Sequence, residues 1–132
     1  LRSLVGSEMC IRDRTYRVDV SIIGEDSIES LKKGAQRLTG TVIEQRTPMR
    51  VSHRRADLVR PRLINSIDVT SFEGNMAELI IRAQHGTYIR ELVSGDEGRT
   101  NPSFSSLVDA TCKVEVLDVL NLHLDAKEEK ND

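Results

Sequence analysis

Aromatic residues and cysteines are scarce in this sequence. It contains no Trp, two Tyr and two Phe among 132 residues, so aliphatic side chains must form the core. The two cysteines, Cys10 and Cys112, are far apart and belong to no CxxC pair. We therefore expect neither a disulfide framework nor a cysteine-based zinc site, and a reducing cytoplasm fits this composition.

Long apolar runs are missing as well. A transmembrane helix needs about 20 consecutive apolar residues, and no run approaches that length, so no membrane association is predicted. The first residues lack the continuous apolar stretch of a signal peptide. His53, His85 and His123 are scattered without carboxylates at ligand spacing, so no metal site is predicted. The formal net charge of −2 does not by itself indicate a nucleic-acid partner.

The two ends of the chain differ from the rest. Residues 1–14 show neither helical nor strand periodicity and resemble a string found repeatedly in translated shotgun assemblies, where a sequencing adapter is read as coding sequence. The alternative is an ordinary flexible terminus. Both interpretations exclude this segment from the mechanism. Under the first, the fold begins near Thr15 and Cys10 has no chemical role. Residues 125–132 are predicted to form a charged, frayed tail.

The intervening residues, 15–124, predict one α+β domain. A helix is expected to end at Gly40, a short one to be capped by Thr87, and another to begin after Asn101 with proline at its first position. Glu73-Gly74-Asn75 predicts a hairpin turn. We expect a mainly antiparallel mixed sheet with a few flanking helices. Alternation of apolar residues predicts strands over 15–23, 41–45, 63–72, 76–83 and 114–124.

A basic segment occupies residues 46–62. It holds six arginines, no lysine, and Asp57 as its only acid. Guanidinium groups match phosphate oxygens bidentately, so the cluster suits a nucleic-acid backbone; the alternative is a solvated arginine-rich surface. The use of arginine rather than lysine favours phosphate binding. The arginines assigned to an RNA backbone are Arg46, Arg50, Arg54, Arg55, Arg60 and Arg62.

A second segment, GTYIREL at 86–92, follows a predicted strand. Gly86 permits a close approach to the backbone. The strand that ends there brings Tyr88 and Arg90 to the edge of the sheet, where an arginine can pair with a carboxylate and keep it ionised. The alternative, which the residues alone favour, is a helix cap with an exposed arginine.

Together the two segments resemble the archaeal and eukaryotic pseudouridine synthases of the Pus-ten family. The resemblance is carried by QRTPMRVSHRRAD at 45–57 and by GTYIRELVSGDEGRTNPS at 86–103. GTYIREL alone resembles the wider class that includes the bacterial TruB enzymes, whereas SGDEGRTNPS and the upstream QRTPxRVxHRRADLVR are more specific. The similarity covers nearly everything from Thr15 to about Leu124.

This resemblance implies a partial pseudouridine-synthase core. Enzymes of the family isomerise uridine to pseudouridine in the T loop of tRNA, at positions 54 and 55. An aspartate attacks the flipped-out nucleotide, the glycosidic bond breaks, and the uracil turns and rejoins through carbon. The implied partner is tRNA, through its T loop. The implied location is the cytoplasm, and no cofactor and no membrane are involved.

Five positions match functional positions of the family. Tyr16 matches a tyrosine that stacks on the target uracil, and Tyr88 matches a second substrate-contacting tyrosine. Ile89 and Arg90 match a pair whose basic member forms a salt bridge to the catalytic aspartate. Leu117 matches a leucine of the substrate pocket.

The resemblance also implies what the chain lacks. The catalytic aspartate of the family would lie upstream of Thr15, and Asp19, Asp57 and Asp96 do not occupy its motif. The family's N-terminal RNA-binding region, with its cysteine-ligated zinc, is absent too. We therefore expect a C-terminal fragment that is inactive alone. One alternative is a non-catalytic RNA-binding domain of the same fold, which the upstream sequence would distinguish, and a weaker one is a structural interaction domain.

Overall fold

The computed structural model describes residues 11–24, 27–51 and 58–124. Within them the strands are β1 (Ile11–Ile23), β2 (Thr41–Arg46), β3 (Val59–Glu73), β4 (Met76–Gln84), β5 (Thr100–Asn101) and β6 (Thr111–Leu124). The helices are α1 (Ile28–Leu38), α2 (Ile89–Ser94) and α3 (Phe104–Val108), with short 3₁₀ turns at Met49–Val51 and Asp96–Gly98. None of these helices is long and apolar enough to span a bilayer.

The strands form a single sheet in the order β5-β2-β3-β4-β1-β6. Each pair of neighbours is antiparallel, so the sheet is antiparallel at every described pairing rather than mixed. The predicted α+β class is confirmed. The predicted hairpin is confirmed too, because β3 and β4 are joined by a turn at Gly74 and Asn75.

The core lies between one face of the sheet and the helices. In β1 the alternation predicted from the sequence places every second side chain in this core. Helix α1 packs against β3 and α3, and α2 packs against β6. The buried residues that β1 and α1 contribute are Tyr16, Val18, Val20, Ile22, Leu31, Ala35 and Leu38.

The opposite face of the sheet is polar near β1. Arg17 binds three carboxylates there, with nitrogen–oxygen distances of 3.1 Å to Asp19, 2.9 Å to Glu78 and 2.7 Å to Asp118. These partners come from β1 itself and from the strands on either side of it. These charges keep this part of the face solvated, and among the described residues the hydrophobic interior lies on the face toward the helices.

Strand β1 begins at Ile11 rather than at the predicted Thr15. Asp13 lies opposite Gln84 of β4. It is buried, and its Oδ2 is 3.2 Å from Nη2 of Arg82. The predicted boundary is therefore corrected to include residues 11–14, because β4 and β6 are long enough to continue pairing with them. The foreign origin of residues 1–14 stays a prediction, and residues 1–10 and 125–132 lie outside the described residues.

Two of the predicted helix caps are wrong. The hydroxyl of Thr87 donates to a backbone carbonyl of β4 at 2.7 Å, and Tyr88 occupies the N-cap of α2 without a side-chain capping bond. Asn101 pairs with β2 as part of β5, so α3 cannot begin there. Its N-cap is Ser103, whose side chain accepts from the backbone N–H of Ser106 at 3.2 Å.

The crossing of α1 and α3 provides a test of this packing. A Cβ on Gly34 would lie 2.4 Å from Cγ1 of Val108, a stiff β-branched side chain. Gly34→Ala is therefore expected to destabilise the domain by about 1–3 kcal/mol, less the roughly 1 kcal/mol that alanine contributes through helix propensity. Urea unfolding of Gly34→Ala measures this in the native and Val108→Ala backgrounds. An equal cost in both backgrounds would contradict the predicted clash.

Candidate functional site

The GTYIREL segment leaves the end of β4 and leads into α2. Gly86 has a φ of 91°, in the left-handed region that favours glycine. A Cβ at this position would lie 3.2 Å from Nη2 and 3.3 Å from Nε of Arg62. The predicted close approach to the Gly86 backbone is confirmed, and the approaching group is a guanidinium of the basic segment.

The buried side chain of Gln45, in β2, holds the backbone of Tyr88. Its Nε2 donates to the carbonyl oxygen of Tyr88 at 2.9 Å, and its Oε1 accepts from the Tyr88 N–H at 2.9 Å. Nε2 also donates to Oγ1 of Thr100 at 3.2 Å. One carboxamide thus satisfies both polar backbone groups of the residue that begins α2.

Arg50 contacts the same segment from the other side. Its Nε is 2.7 Å from Oε2 of Glu91, and its Cζ lies 5.8 Å from the centroid of the Tyr88 ring. The Glu91 side chain is only 8% exposed, so its carboxylate needs a charged partner there. The hydrogen bond to Glu91 raises the pKa of Arg50. The guanidinium is therefore engaged within the protein.

Arg60 and Arg62 project from the same face of β3. Their partners across the β2–β3 pairing are Gln45 and Ile43, both buried on the core side. Cross-strand partners share a face, so both arginines lie on the face that carries the GTYIREL segment. Both are half-buried.

The structure therefore divides the arginines predicted to bind an RNA backbone. Arg50 and Arg62 contact the GTYIREL segment. The phosphate-binding interpretation of the sequence did not anticipate these intramolecular partners. Arg46 is exposed at the end of β2, and Arg60 is half-buried in β3. Two further members lie outside the described residues, Arg54 and Arg55.

Arg90 lies in the first turn of α2 and is exposed. Its Nη1 donates to the carbonyl oxygen of Val114 in β6 at 3.3 Å. Within the described residues its guanidinium makes no ion pair, so its other donors remain available to a further partner. Leu117 lies further along β6, opposite Val18, and is half-buried against the core. Arg90 and Leu117 thus border the same side of the sheet.

Tyr16 and Ile89 are buried more deeply than a substrate contact requires. Tyr16 is 5% exposed between Ile81 of β4 and Val119 of β6, and Ile89 is 4% exposed. Both side chains pack in the core of this chain, and stacking of the Tyr16 ring on a base would require one ring face to become accessible. Tyr88, by contrast, is half-buried. The assignments of Tyr16, Tyr88, Ile89, Arg90 and Leu117 to substrate or catalysis stay predictions.

Sequence reasoning did not single out Gln45 or Glu91. Gln45 did carry a signal, because the alternation of β2 places it on the same side as the apolar Ile43. A glutamine at an inward position of a strand must find buried partners. Glu91 gave no comparable signal, since a glutamate in a short helix is ordinarily solvated.

Comparison with known proteins assigns the chain to a family. Residues 7–123 match the family model described as Pus10, C-terminal. The chain belongs to this family. The match includes β1 from its start, both motif segments and nearly all of β6, so the Pus10 C-terminal family accounts for every described strand.

Individual relatives support the assignment. The tRNA pseudouridine synthase Pus10 of Methanothrix thermoacetophila is 43% identical over 110 residues, covering 83% of this chain and 24% of that protein. The protein of the same name from Methanocaldococcus jannaschii is 44% identical over 110 residues, with the same two shares. That of Thermoplasma acidophilum is 41% identical over 118 residues, covering 88% and 30%. The chain thus spans 24–30% of the length of these relatives.

Solved structures share the fold. A Cbf5-Nop10-Gar1 complex contains a chain that superposes with a TM-score of 0.70 at 19% identity, covering 87% of this chain and 32% of that one. An H/ACA RNP bound to a substrate RNA containing 2'-deoxyuridine gives 0.66 at 17% identity, covering 86% and 29%. At such identities the likeness concerns the fold alone. It confirms the predicted α+β fold class.

Proposed function

We propose that the full-length protein containing this chain isomerises uridine to pseudouridine in tRNA, and that this chain supplies the basic side of the active site. The observation that carries the proposal is the placement of Arg90. Its exposed guanidinium stands at the start of α2, beside β6, and within the described residues it makes a single hydrogen bond. Membership of the Pus10 C-terminal family supports the same reaction.

Arg90 would act on the nucleophile. In a desolvated pocket a carboxylate tends to take up a proton, and a neighbouring guanidinium keeps it charged and nucleophilic. The aspartate itself would come from outside this chain. It attacks the flipped-out uridine, and the glycosidic N1–C1′ bond breaks. The uracil turns, its C5 bonds to C1′ as the aspartate is released, and C5 loses a proton while N1 gains one. Tyr16, Tyr88 and Leu117 would contact the uracil.

The proposed substrate region is the T loop, at positions 54 and 55 of tRNA, in the cytoplasm. Backbone phosphates would be held by arginines of the basic segment. The Arg50 guanidinium already pairs with the buried Glu91 carboxylate, and Arg62 lies against Gly86. The candidates are the other four arginines, Arg46, Arg54, Arg55 and Arg60.

The test is single-turnover pseudouridine formation by the full-length protein on unmodified tRNA transcripts. One transcript carries cytidine at position 54 and a second carries cytidine at position 55. Because the isomerisation leaves the mass unchanged, each product is first derivatised with a carbodiimide that remains on pseudouridine. Mapping of the derivatised position is expected to find pseudouridine at the remaining uridine. Tight tRNA binding without pseudouridine in any transcript would contradict the proposed reaction and indicate a non-catalytic RNA-binding domain.

The basic segment is tested by salt dependence. Replacing Arg54 and Arg55 with Ala in the full-length protein is expected to weaken tRNA binding. Each lost phosphate contact should reduce the slope of log affinity against log salt by about 0.7–0.9. Arg37→Ala, which removes an exposed arginine from α1, is the matched control and should leave the slope unchanged. If the double variant also kept the native slope, the segment would be ordinary solvated surface.

A further inference from the structure

We propose that Gln45 is a positioning residue for the candidate active site: its carboxamide sets the backbone of Tyr88 and, through it, the start of the helix that carries Arg90. The catalytic part of this inference rests on the proposed function. Gln45 lies in β2, whereas Tyr88 and Arg90 follow β4. The link between them is made by side-chain hydrogen bonds rather than by strand pairing.

The first step is the geometry at Tyr88. Gln45 bonds both its N–H and its carbonyl oxygen, each at 2.9 Å. Tyr88 has an extended backbone, with φ −86° and ψ 104°. A single carboxamide therefore replaces the pairing that a neighbouring strand would provide, and it does so at the residue where the extended chain becomes helical.

The second step is the connection to α2. The same Tyr88 carbonyl accepts the N–H of Leu92 at 2.9 Å, the first bond of that helix. The Tyr88 carbonyl oxygen thus accepts from both Gln45 and Leu92. Together these two bonds fix the orientation of the peptide plane after Tyr88. Because α2 has no side-chain cap bond of its own, the bond from Gln45 restrains its N-terminus from outside the helix. Arg90 lies within that turn, and its direction follows the orientation of the peptide.

The third step is the need for glutamine. Gln45 is 2% and Thr100 is 3% exposed, so unsatisfied polar atoms would be costly. A carboxamide offers an acceptor and donors on one planar group. An ionised carboxylate of the same shape could accept from the Tyr88 N–H, but it would face the Tyr88 carbonyl without a donor. Asparagine is one methylene shorter and cannot span the same gap.

The basic segment supports the same region from a second direction. Arg62 lies against Gly86, and Arg50 pairs with Glu91 one residue after Arg90. These contacts restrain the two ends of the segment, whereas Gln45 restrains its centre. Loss of Gln45 is therefore expected to loosen Tyr88 and the start of α2 without unfolding the segment.

The test compares Gln45→Glu and Gln45→Ala with the native full-length protein. Single-turnover pseudouridine formation is expected to fall about 10²-fold at neutral pH, the effect of displacing a catalytic group by roughly 1 Å, with the Kd for tRNA unchanged. In Gln45→Glu the introduced carboxyl regains a donor when protonated. Its rate relative to the native protein should therefore rise as the pH falls. Ile43→Val, a buried variant two residues away in β2, controls for lost stability and should keep the native rate.

Hydrogen exchange gives a readout that does not depend on activity. In Gln45→Ala the amides of Tyr88 and Leu92 should lose protection, while those of β1 keep theirs. If native protein formed no pseudouridine, the proposed function would fail, and exchange would still decide whether Gln45 restrains Tyr88. Native protection at both amides would overturn the inference. So would a native turnover rate for Gln45→Glu across the pH range.

Discussion

Arg90→Ala in the full-length protein is expected to reduce the single-turnover rate of pseudouridine formation by about 10²–10³-fold, the usual effect of removing one electrostatic stabiliser from an active site. The Kd for tRNA should change little, because the proposed phosphate contacts lie in the basic segment. Arg90 makes one hydrogen bond within the described residues, to a backbone carbonyl of β6. Its loss should therefore leave the melting temperature nearly unchanged.

A conservative replacement separates charge from geometry at this position. Arg90→Lys keeps the positive charge and loses only the planar fork, so its rate should lie between those of the native protein and Arg90→Ala. The measurement is the rate at saturating protein, with tRNA binding determined in parallel and Arg37→Ala as the exposed-arginine control. A native rate for Arg90→Ala would remove the GTYIREL segment from the active site.

Tyr16→Leu is expected to lower the same rate by about 10–100-fold. Stacking of an aromatic ring on a base contributes about 1–3 kcal/mol, and each 1.36 kcal/mol corresponds to a tenfold change in rate. Tyr16→Phe keeps the ring and should remain near the native rate. Alanine is the wrong probe here, because Tyr16 is 5% exposed and truncating a buried aromatic residue costs about 3–5 kcal/mol.

The control for Tyr16 is a neighbour on the same face of β1. Val18 is fully buried, so Val18→Ala loses stability without removing a ring. It should keep the native single-turnover rate at a temperature where both variants are folded. If Tyr16→Leu also kept the native rate, Tyr16 would be a core residue and would not contact the uracil.

Local periodicity was sufficient for the main elements. Alternation in β1, the turn at Gly74 and the end of α1 before Gly40 all predicted what the structure contains. Such patterns indicate which side of an element faces the core. They extend over neighbouring residues, so they can be recognised in the sequence alone. The candidate site was partly accessible by the same means, since Gly86 marks the end of β4 and places Tyr88 and Arg90 just beyond it.

Helix starts were less accessible because they depend on distant partners. Asn101 has the residue type of a cap, yet it pairs with β2, and α3 begins only after Ser103. The start of β1 at Ile11 likewise depends on the lengths of β4 and β6. In each case hydrogen bonds between segments far apart in sequence outweighed the local preference.

The α+β class, the hairpin and the resemblance to a family could all be predicted from the amino-acid sequence, since these rest on local patterns and on motif residues. The contacts of the arginines in the basic segment depend on the tertiary structure. Arg50 pairs with Glu91 and Arg62 covers Gly86 because the strand order brings β2 and β3 beside the end of β4. The tertiary structure also places the Tyr88 backbone beside the side chain of Gln45. The sequence specifies the charge and shape of each side chain, whereas the group that the side chain contacts depends on the order of the strands in the sheet.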